Sequence, residues 1–284
     1  MMNLLRRAPW AALWIASAWT AGLAGAQGTE DLIPGFSDIE AGDFQIRSSR
    51  DRDLRQILAD TPNRHEALRV GERLVFSVRY GPIRAGEAVL EIPDVVQLPD
   101  GPAFRILSVA ESNSLFDSFY KVRDRVESHM DSLFLFSRRH EKHLREGKYT
   151  QDRSIVMDQQ NRLAVYDDGK IFEMPSGAHD VLTAFYYVRT MDLEVGDVIR
   201  LDSHVDRKNY PIEVTVLRRE KVEVPAGTFD CLVIEPKVSE GALFKSKGKL
   251  TIWITDDDRK IPVLMKTEIP VGSIDALLVR IEGR

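Results

Sequence analysis

His140-Glu141-Lys142-His143 comes nearer to a known chemistry than any other segment of the chain. Zinc proteases hold their metal with two histidines four residues apart on one helix face, with a glutamate between them as base. Here the histidines are three apart and their surroundings read as a strand, so the two rings are expected on opposite faces of a sheet. Asp256-Asp257-Asp258 offers the hard oxygens that calcium takes, but it lacks the spaced ligands and glycine of a calcium loop and reads as a polar hairpin tip. Gly248-Lys249 fails as a phosphate loop, because six residues separate Gly241 from Gly248 and Leu250 follows the lysine. The chain has neither a G-x-S-x-G elbow nor a dinucleotide fingerprint. No catalytic, metal or cofactor residue is assigned, and no cofactor is expected. A hydrolase would have to assemble from scattered Ser, His and Asp residues in space.

The single cysteine, Cys231, sits in a strand-like alternation with Phe229 and Val233, so a small buried hydrophobe is expected and an intramolecular disulfide is excluded. Two features carry binding expectations. Leu243 and Phe244 lie beside Lys245 and Lys247, with Lys237 and Lys249 nearby. Such a loop could set Phe244 in an acyl or interfacial environment while the lysines meet phosphate head groups. The alternative is a long hairpin loop folded back on the core. Arg138, Arg139, Lys142 and Arg145, with His140, His143 and Lys148, form a basic run that could contact anionic glycolipid or polysaccharide. Glu141 and Glu146 interrupt it, and a solvated outer strand face is the competing account.

These residues belong to a chain of 284 residues with a net charge of -5, 43% apolar and 29% charged, which suits one large folded domain rather than a nucleic-acid binder. Arg6 and Arg7 precede the apolar run from Trp10 to Trp19, and Ala24-Gly25-Ala26 follows, so residues 1–26 are expected to be a cleaved signal peptide. An uncleaved anchor is the alternative. After cleavage no membrane-spanning segment is expected, and the location is periplasmic or secreted. Residues 27–68 read as a polar leader with a short helix over Asp51–Ala59, where Leu54, Ile57 and Leu58 share a face.

Residues 69–284 read as one β-rich domain. Leu74, Phe76, Val78 and Tyr80 alternate with smaller or charged residues, and Gly86 beside Ala85 and Ala88 marks a bulge or a close backbone approach. A further strand is expected from Phe119 to Met130. Leu133–Leu144 and Tyr149–Met157 form a long hairpin, and Asp168-Gly169 turns another. One helix interrupts the strands. Asp180 caps a segment running to Met191, whose Val181, Leu182, Phe185 and Val188 form an apolar stripe. Two hairpins then span Val222–Lys266, turned at Pro225-Ala226-Gly227 and at Asp256-Asp257-Asp258. The expected fold is mainly β: an antiparallel, strongly curved sheet or a closed or half-closed β-barrel of about a dozen strands with one covering helix.

Gly71-Glu72-Arg73-Leu74, Tyr80-Gly81-Pro82-Ile83-Arg84-Ala85-Gly86, Tyr186-Tyr187-Val188-Arg189, Val195-Gly196-Asp197 and the Val222–Lys266 stretch with Trp253 and Ile261-Pro262 give the chain its likeness. It resembles the domain of unknown function 3108 family over about Leu68 to Ile281. The resemblance implies an exported bacterial protein with one predominantly β domain, and it carries over no functional residue. A concave β fold with an apolar interior leads to the first functional expectation, a non-catalytic carrier for a hydrophobic or amphiphilic envelope molecule such as a lipid or glycolipid. The second is a structural or adaptor protein that docks an envelope protein through a sheet edge or surface patch.

Overall fold

The structure is a computed structural model that describes residues 66–238, 249–270 and 272–283. The expected signal peptide, the helix over Asp51–Ala59 and the loop with Leu243, Phe244, Lys245 and Lys247 lie outside these residues.

Among the described residues fourteen strands form one antiparallel sheet: β1 (Arg73–Tyr80), β2 (Ile83–Leu98), β3 (Gly101–Ser112), β4 (Arg123–Asp131), β5 (Ser137–Glu146), β6 (Tyr149–Asp158), β7 (Leu163–Tyr166), β8 (Ile171–Glu173), β9 (Val198–Val205), β10 (Lys208–Val224), β11 (Gly227–Val238), β12 (Leu250–Thr255), β13 (Pro262–Glu268) and β14 (Ser273–Glu282). The order is β8-β7-β6-β5-β4-β3-β2-β1-β14-β13-β12-β11-β10-β9. Two meanders of hairpins are thus joined where β1 pairs with β14, which brings the two ends of the domain to the middle of the sheet. Period-two alternation decides which face of each strand is buried. On β1, Leu74, Phe76 and Val78 are fully buried and pack with Leu90, Ile92 and Ile106 of β2 and β3.

Among the described residues β8 and β9 do not pair, so the ladder is open there. The sheet nevertheless curves until its two ends face each other. Tyr166 Oη on β7 lies 2.9 Å from His204 Nε2 on β9, and Asn209 Nδ2 on β10 donates to the Glu173 carbonyl of β8 at 2.9 Å. The segment after β8 spans some of the gap: His179 N donates to Asp202 O at 2.9 Å, and its carbonyl accepts from His204 N at 3.0 Å.

Among the described residues two α-helices interrupt the sheet, α1 (Ser114–Asp117) and α2 (Val181–Arg189). α1 falls just before the strand expected from Phe119, which instead starts at Arg123 as β4. Asn113 sets this turn, since its Oδ1 accepts from Phe116 N at 3.0 Å while its Nδ2 donates to the Arg84 carbonyl at 2.7 Å. α2 has the expected cap. Asp180 Oδ1 accepts from Leu182 N and Thr183 N at 2.8 and 3.1 Å, and Thr183 Oγ1 accepts from Asp180 N at 3.1 Å, which closes a capping box. A single apolar stripe was expected, but Thr183, Ala184, Tyr186 and Arg189 are buried along with Val181, Leu182, Phe185 and Val188. α2 is therefore an internal plug. Its last turn is anchored by Arg189 Nη2, which donates to the fully buried Glu72 Oε1 at 2.8 Å, and by Arg189 Nε, which donates to the Lys260 carbonyl at 3.1 Å.

Candidate functional site

β5 carries the His140–His143 segment, and it does not lie flat against solvent. His140, Lys142, Leu144 and Glu146 are buried, while Arg139, His143 and Arg145 are exposed. The two histidines thus lie on opposite faces, with His143 Nδ1 at 2.7 Å from Asp152 Oδ1 on the outside.

The expected basic surface patch is corrected by this geometry. Lys142 is 1% exposed and meets the Asp206 carboxylate inside the fold. Arg138 is drawn between Asp100 and Asp131, Arg139 is paired with Glu141, and Arg145 Nη2 donates to Asp152 at 2.9 Å. The four cations neither share one face nor lack counter-charges, because alternation along the strand sends neighbours in opposite directions. At the other predicted site, the flanking Lys237 and Lys249 both grip Glu235, at 2.8 and 2.6 Å.

The inner face of β4 and β5 instead presents a buried polar band to the N-terminus of α2 and to the β9–β10 turn. At its centre the fully desolvated Asp180 carboxylate accepts from Ser128 Oγ at 2.8 Å, from Ser137 Oγ and from Thr183 Oγ1, besides the two cap amides. His140 Nδ1 lies 3.0 Å from Ser128 Oγ and 3.4 Å from Asp180 Oδ1. Burial alone would raise the Asp180 pKa, but the nearby His140 charge and the converging hydrogen bonds hold it well below the usual carboxylate range. Ser, His and Asp are together here, yet they do not form a relay. In a relay one ring nitrogen faces the hydroxyl and the other faces the carboxylate, whereas here the same nitrogen faces both. Ser128 is also wholly buried, with its proton directed at Asp180. Next along the chain, the buried His179 packs against Tyr187 with ring centroids 4.8 Å apart and the planes tilted by 38°, and burial lowers its pKa to about 4.

Farther along the same face, Asp124 and Glu146 form a buried carboxyl pair. Burial first, then the Asp124 charge, pushes Glu146 up to about 9, while Arg145 N donates to Asp124 Oδ1 at 2.8 Å. The environment of the pair thus favours the protonated form of Glu146. Across from it, Asp206 and Arg207 form the β9–β10 turn, both with positive φ (46° and 70°). This is the backbone of a primed hairpin turn without the glycine or asparagine that usually relieves it. The strained turn aims Asp206 at Lys142 and Arg207 at Asp168, and it places the Arg207 guanidinium 5.6 Å from the Tyr166 ring centroid.

The remaining motifs are structural in this setting. The Asp256–Asp258 turn is closed on itself, with Asp257 Oδ1 accepting from Thr255 Oγ1, Arg259 N and Lys260 N at 2.6, 3.1 and 3.0 Å. Cys231 is buried, and burial raises its thiol to about 12, which leaves it protonated and unreactive. An apolar groove runs beside α2, lined by Phe185, Val188, Leu201, Ile212, Ile234 and Ile252 among others. Its empty volume is about 260 Å³ with space open to solvent included, and its interior narrows to room for about one water molecule.

Reading the sequence alone missed Ser128, Ser137, Asp180 as an acceptor, Asp206 and the Asp124–Glu146 pair. One signal was present: Leu144 is in phase with His140, Lys142 and Glu146, which marks that side of β5 as the inner one.

Among the described residues no helix is long and apolar enough to cross a membrane. No curated protein matches the chain. Among solved structures, a β-barrel-like protein of domain of unknown function DUF1849 from Brucella abortus aligns with 76% of this chain and 99% of its own, at 9% identity and a TM-score of 0.50. A candidate exported protein with a YmcC-like fold from Bacteroides fragilis aligns with 76% of this chain and 97% of its own, at 12% identity and a TM-score of 0.35. A DUF1089 family protein from Pseudomonas aeruginosa covers 66% and 91%, at 11% identity and a TM-score of 0.39. The first of these likenesses concerns the fold alone. The protein of unknown function family DUF3108 matches residues 75–279, nearly all of the β domain, and the chain belongs to that family.

Proposed function

We propose that the protein is a non-catalytic scaffold of the bacterial cell envelope, exported through residues 1–26, with a half-closed barrel that docks a protein partner through its outer surface. The observation that carries this reading is the filling of the concavity. α2 is buried along nearly its whole length, and the groove beside it has room for about one water molecule. Small-molecule sites typically offer about 300–1,000 Å³ and enclose most of the ligand. The shared Nδ1 contact of His140 and the buried Ser128 hydroxyl argue against hydrolysis.

A carrier for a lipid or glycolipid is the second reading, and the wholly apolar lining of the groove favours it. Filling that groove with an acyl chain would require α2 to move off β9–β12. Mass spectrometry of the protein released gently from envelopes separates the two. The scaffold is expected to show the polypeptide mass alone and to take up no fluorescent fatty-acyl probe. A stoichiometric lipid in the native spectrum would replace the scaffold with the carrier.

A further inference from the structure

One rim of the sheet gathers exposed apolar side chains on separate turns. Phe119 is 73% exposed, Leu115 58%, Ile83 48% and Tyr149 40%. The turns that bear them are tied together through the backbone. Asn113 N donates to Ala85 O at 2.9 Å and its side chain to Arg84 O at 2.7 Å, which fixes α1 to the β1–β2 turn. Gly147 N donates to Lys121 O at 2.8 Å, which fixes the β5–β6 turn to the segment after α1. The apolar tips are therefore held as one rim.

Cations flank these tips. Lys121 and Lys148 are exposed and form no ion pair among the described residues. Nearby exposed acids have arginine partners: Asp117 is held by Arg123 at 2.7 Å, Asp152 by Arg145 at 2.9 Å, and Glu87 faces Arg84 at 3.5 Å. Behind the rim, burial raises the pKa of both Asp124 and Glu146, which lessens the negative charge that they present.

We propose that this rim rests on an anionic lipid bilayer, with Ile83, Leu115 and Phe119 entering the boundary between head groups and acyl chains while Lys121 and Lys148 meet lipid phosphates. Short apolar prongs flanked by lysines with long stems match that boundary, where rings and methyls leave water and ammonium groups stay at the phosphates. A protein partner would call for a packed, largely dry centre. The rim offers tips on separate turns instead. The inference goes beyond the scaffold reading, since it concerns the outer rim and not the filled interior.

The test uses the full chain with Ser118→Cys carrying a polarity-sensitive fluorophore. The buried Cys231 thiol escapes labelling. A second preparation carries the label at Asp258→Cys, on the β12–β13 turn at the opposite end of the strands. It reports any attachment through the apolar N-terminal segment. With vesicles of equal parts phosphatidylglycerol and phosphatidylcholine, the emission from position 118 is expected to shift to the blue while that from 258 does not. Phosphatidylcholine alone should leave both unchanged. Lys121→Ala and Lys148→Ala should each raise the lipid concentration required by about fivefold. The inference is overturned if the label at 118 stays in water while the protein sediments with the vesicles, if both positions shift alike, or if the lysine variants bind as the parent does. A lipid found inside the protein by mass spectrometry would remove the scaffold reading and leave this result untouched.

Discussion

Lys142 on β5 meets the carboxylate of Asp206 at the tip of the β9–β10 turn, 64 residues later in the chain. The contact links the β5 side of the curved sheet to the β9–β10 turn, across the gap where β8 and β9 do not pair among the described residues. The lysine side chain is 2% exposed and the aspartate 20%, so the two partners are not equivalent. Removing the aspartate strands a buried ammonium, whereas removing the lysine leaves a carboxylate that still reaches water. Asp206→Asn strands the ammonium but also eases the positive φ of this turn, so it is expected to lower stability by about 2–3 kcal/mol and Lys142→Met by about 2 kcal/mol, with the double variant at least about 1 kcal/mol better than their sum. Urea unfolding of the four proteins checks the cycle. Additive losses would mean that the contact does not close the fold.

Asp180 serves two purposes, as the cap of α2 and as the acceptor for Ser128 and Ser137. Asparagine keeps a capping oxygen but turns a donor toward hydroxyls that are already donating. Asp180→Asn is therefore expected to cost about 2–3 kcal/mol at pH 7. The pH dependence has a fixed sign. The folded pKa is depressed below that of an unfolded aspartate, about 3.9, so this contribution is complete above that value and is lost as pH falls through and below it. Urea midpoints from pH 7 down to pH 3 should drop less steeply for the asparagine variant than for the parent.

Glu146 gives the opposite slope. Burial and the charge of Asp124 raise it to about 9, so between an unfolded value of about 4.3 and that figure the folded protein holds a proton that the unfolded chain has released. Stability from this group is fully present below about pH 4.3 and declines through the neutral range. Glu146→Gln retains a donor for Asp124 without the proton. Its urea midpoint is expected to change less than that of the parent between pH 5 and pH 8.5, and to exceed it at the upper end by about 1 kcal/mol of stability. Parallel pH profiles would exclude a shared proton in the Asp124–Glu146 pair.

What could be read from the sequence depended on how local its cause was. The Asp168-Gly169 hairpin, the β1 alternation and the Asp180 cap are each specified within a few residues, and each is present. α1 was not legible because its cap residue Asn113 is oriented by the carbonyl of Arg84, 29 residues earlier. The buried face of β5 was obscured for a related reason. His140, Lys142 and Glu146 are residue types that normally stay in water, and what admits them to the interior comes from distant elements: Asp180 from α2, Asp206 from the β9–β10 turn and Asp124 from β4. Only Leu144, in phase with them, marked that face as internal.

Gly86 is a position where the sequence already implied a close approach, and the structure supplies the obstacle. A Cβ there would lie 2.1 Å from the Glu111 carbonyl oxygen and 2.9 Å from Ser112 Cα, both backbone atoms of the paired β3 strand. The β1–β2 register also shifts here, since Val78 faces Gly86 while Arg79 faces Arg84, so Ala85 is an extra residue and β2 bulges next to the glycine that lies against β3. The glycine at 169 has a different origin. Nothing lies within 4 Å of its would-be Cβ, and only its φ of +80° favours glycine. Gly169→Ala should therefore cost about 1 kcal/mol in backbone strain, whereas Gly86→Ala must push β2 away from β3 and should cost about 3 kcal/mol. Thermal and urea unfolding of both variants measure the difference. A smaller loss at Gly86 than at Gly169 would show that the β2–β3 contact can open without cost, and that the bulge in β2 is not what holds these strands together.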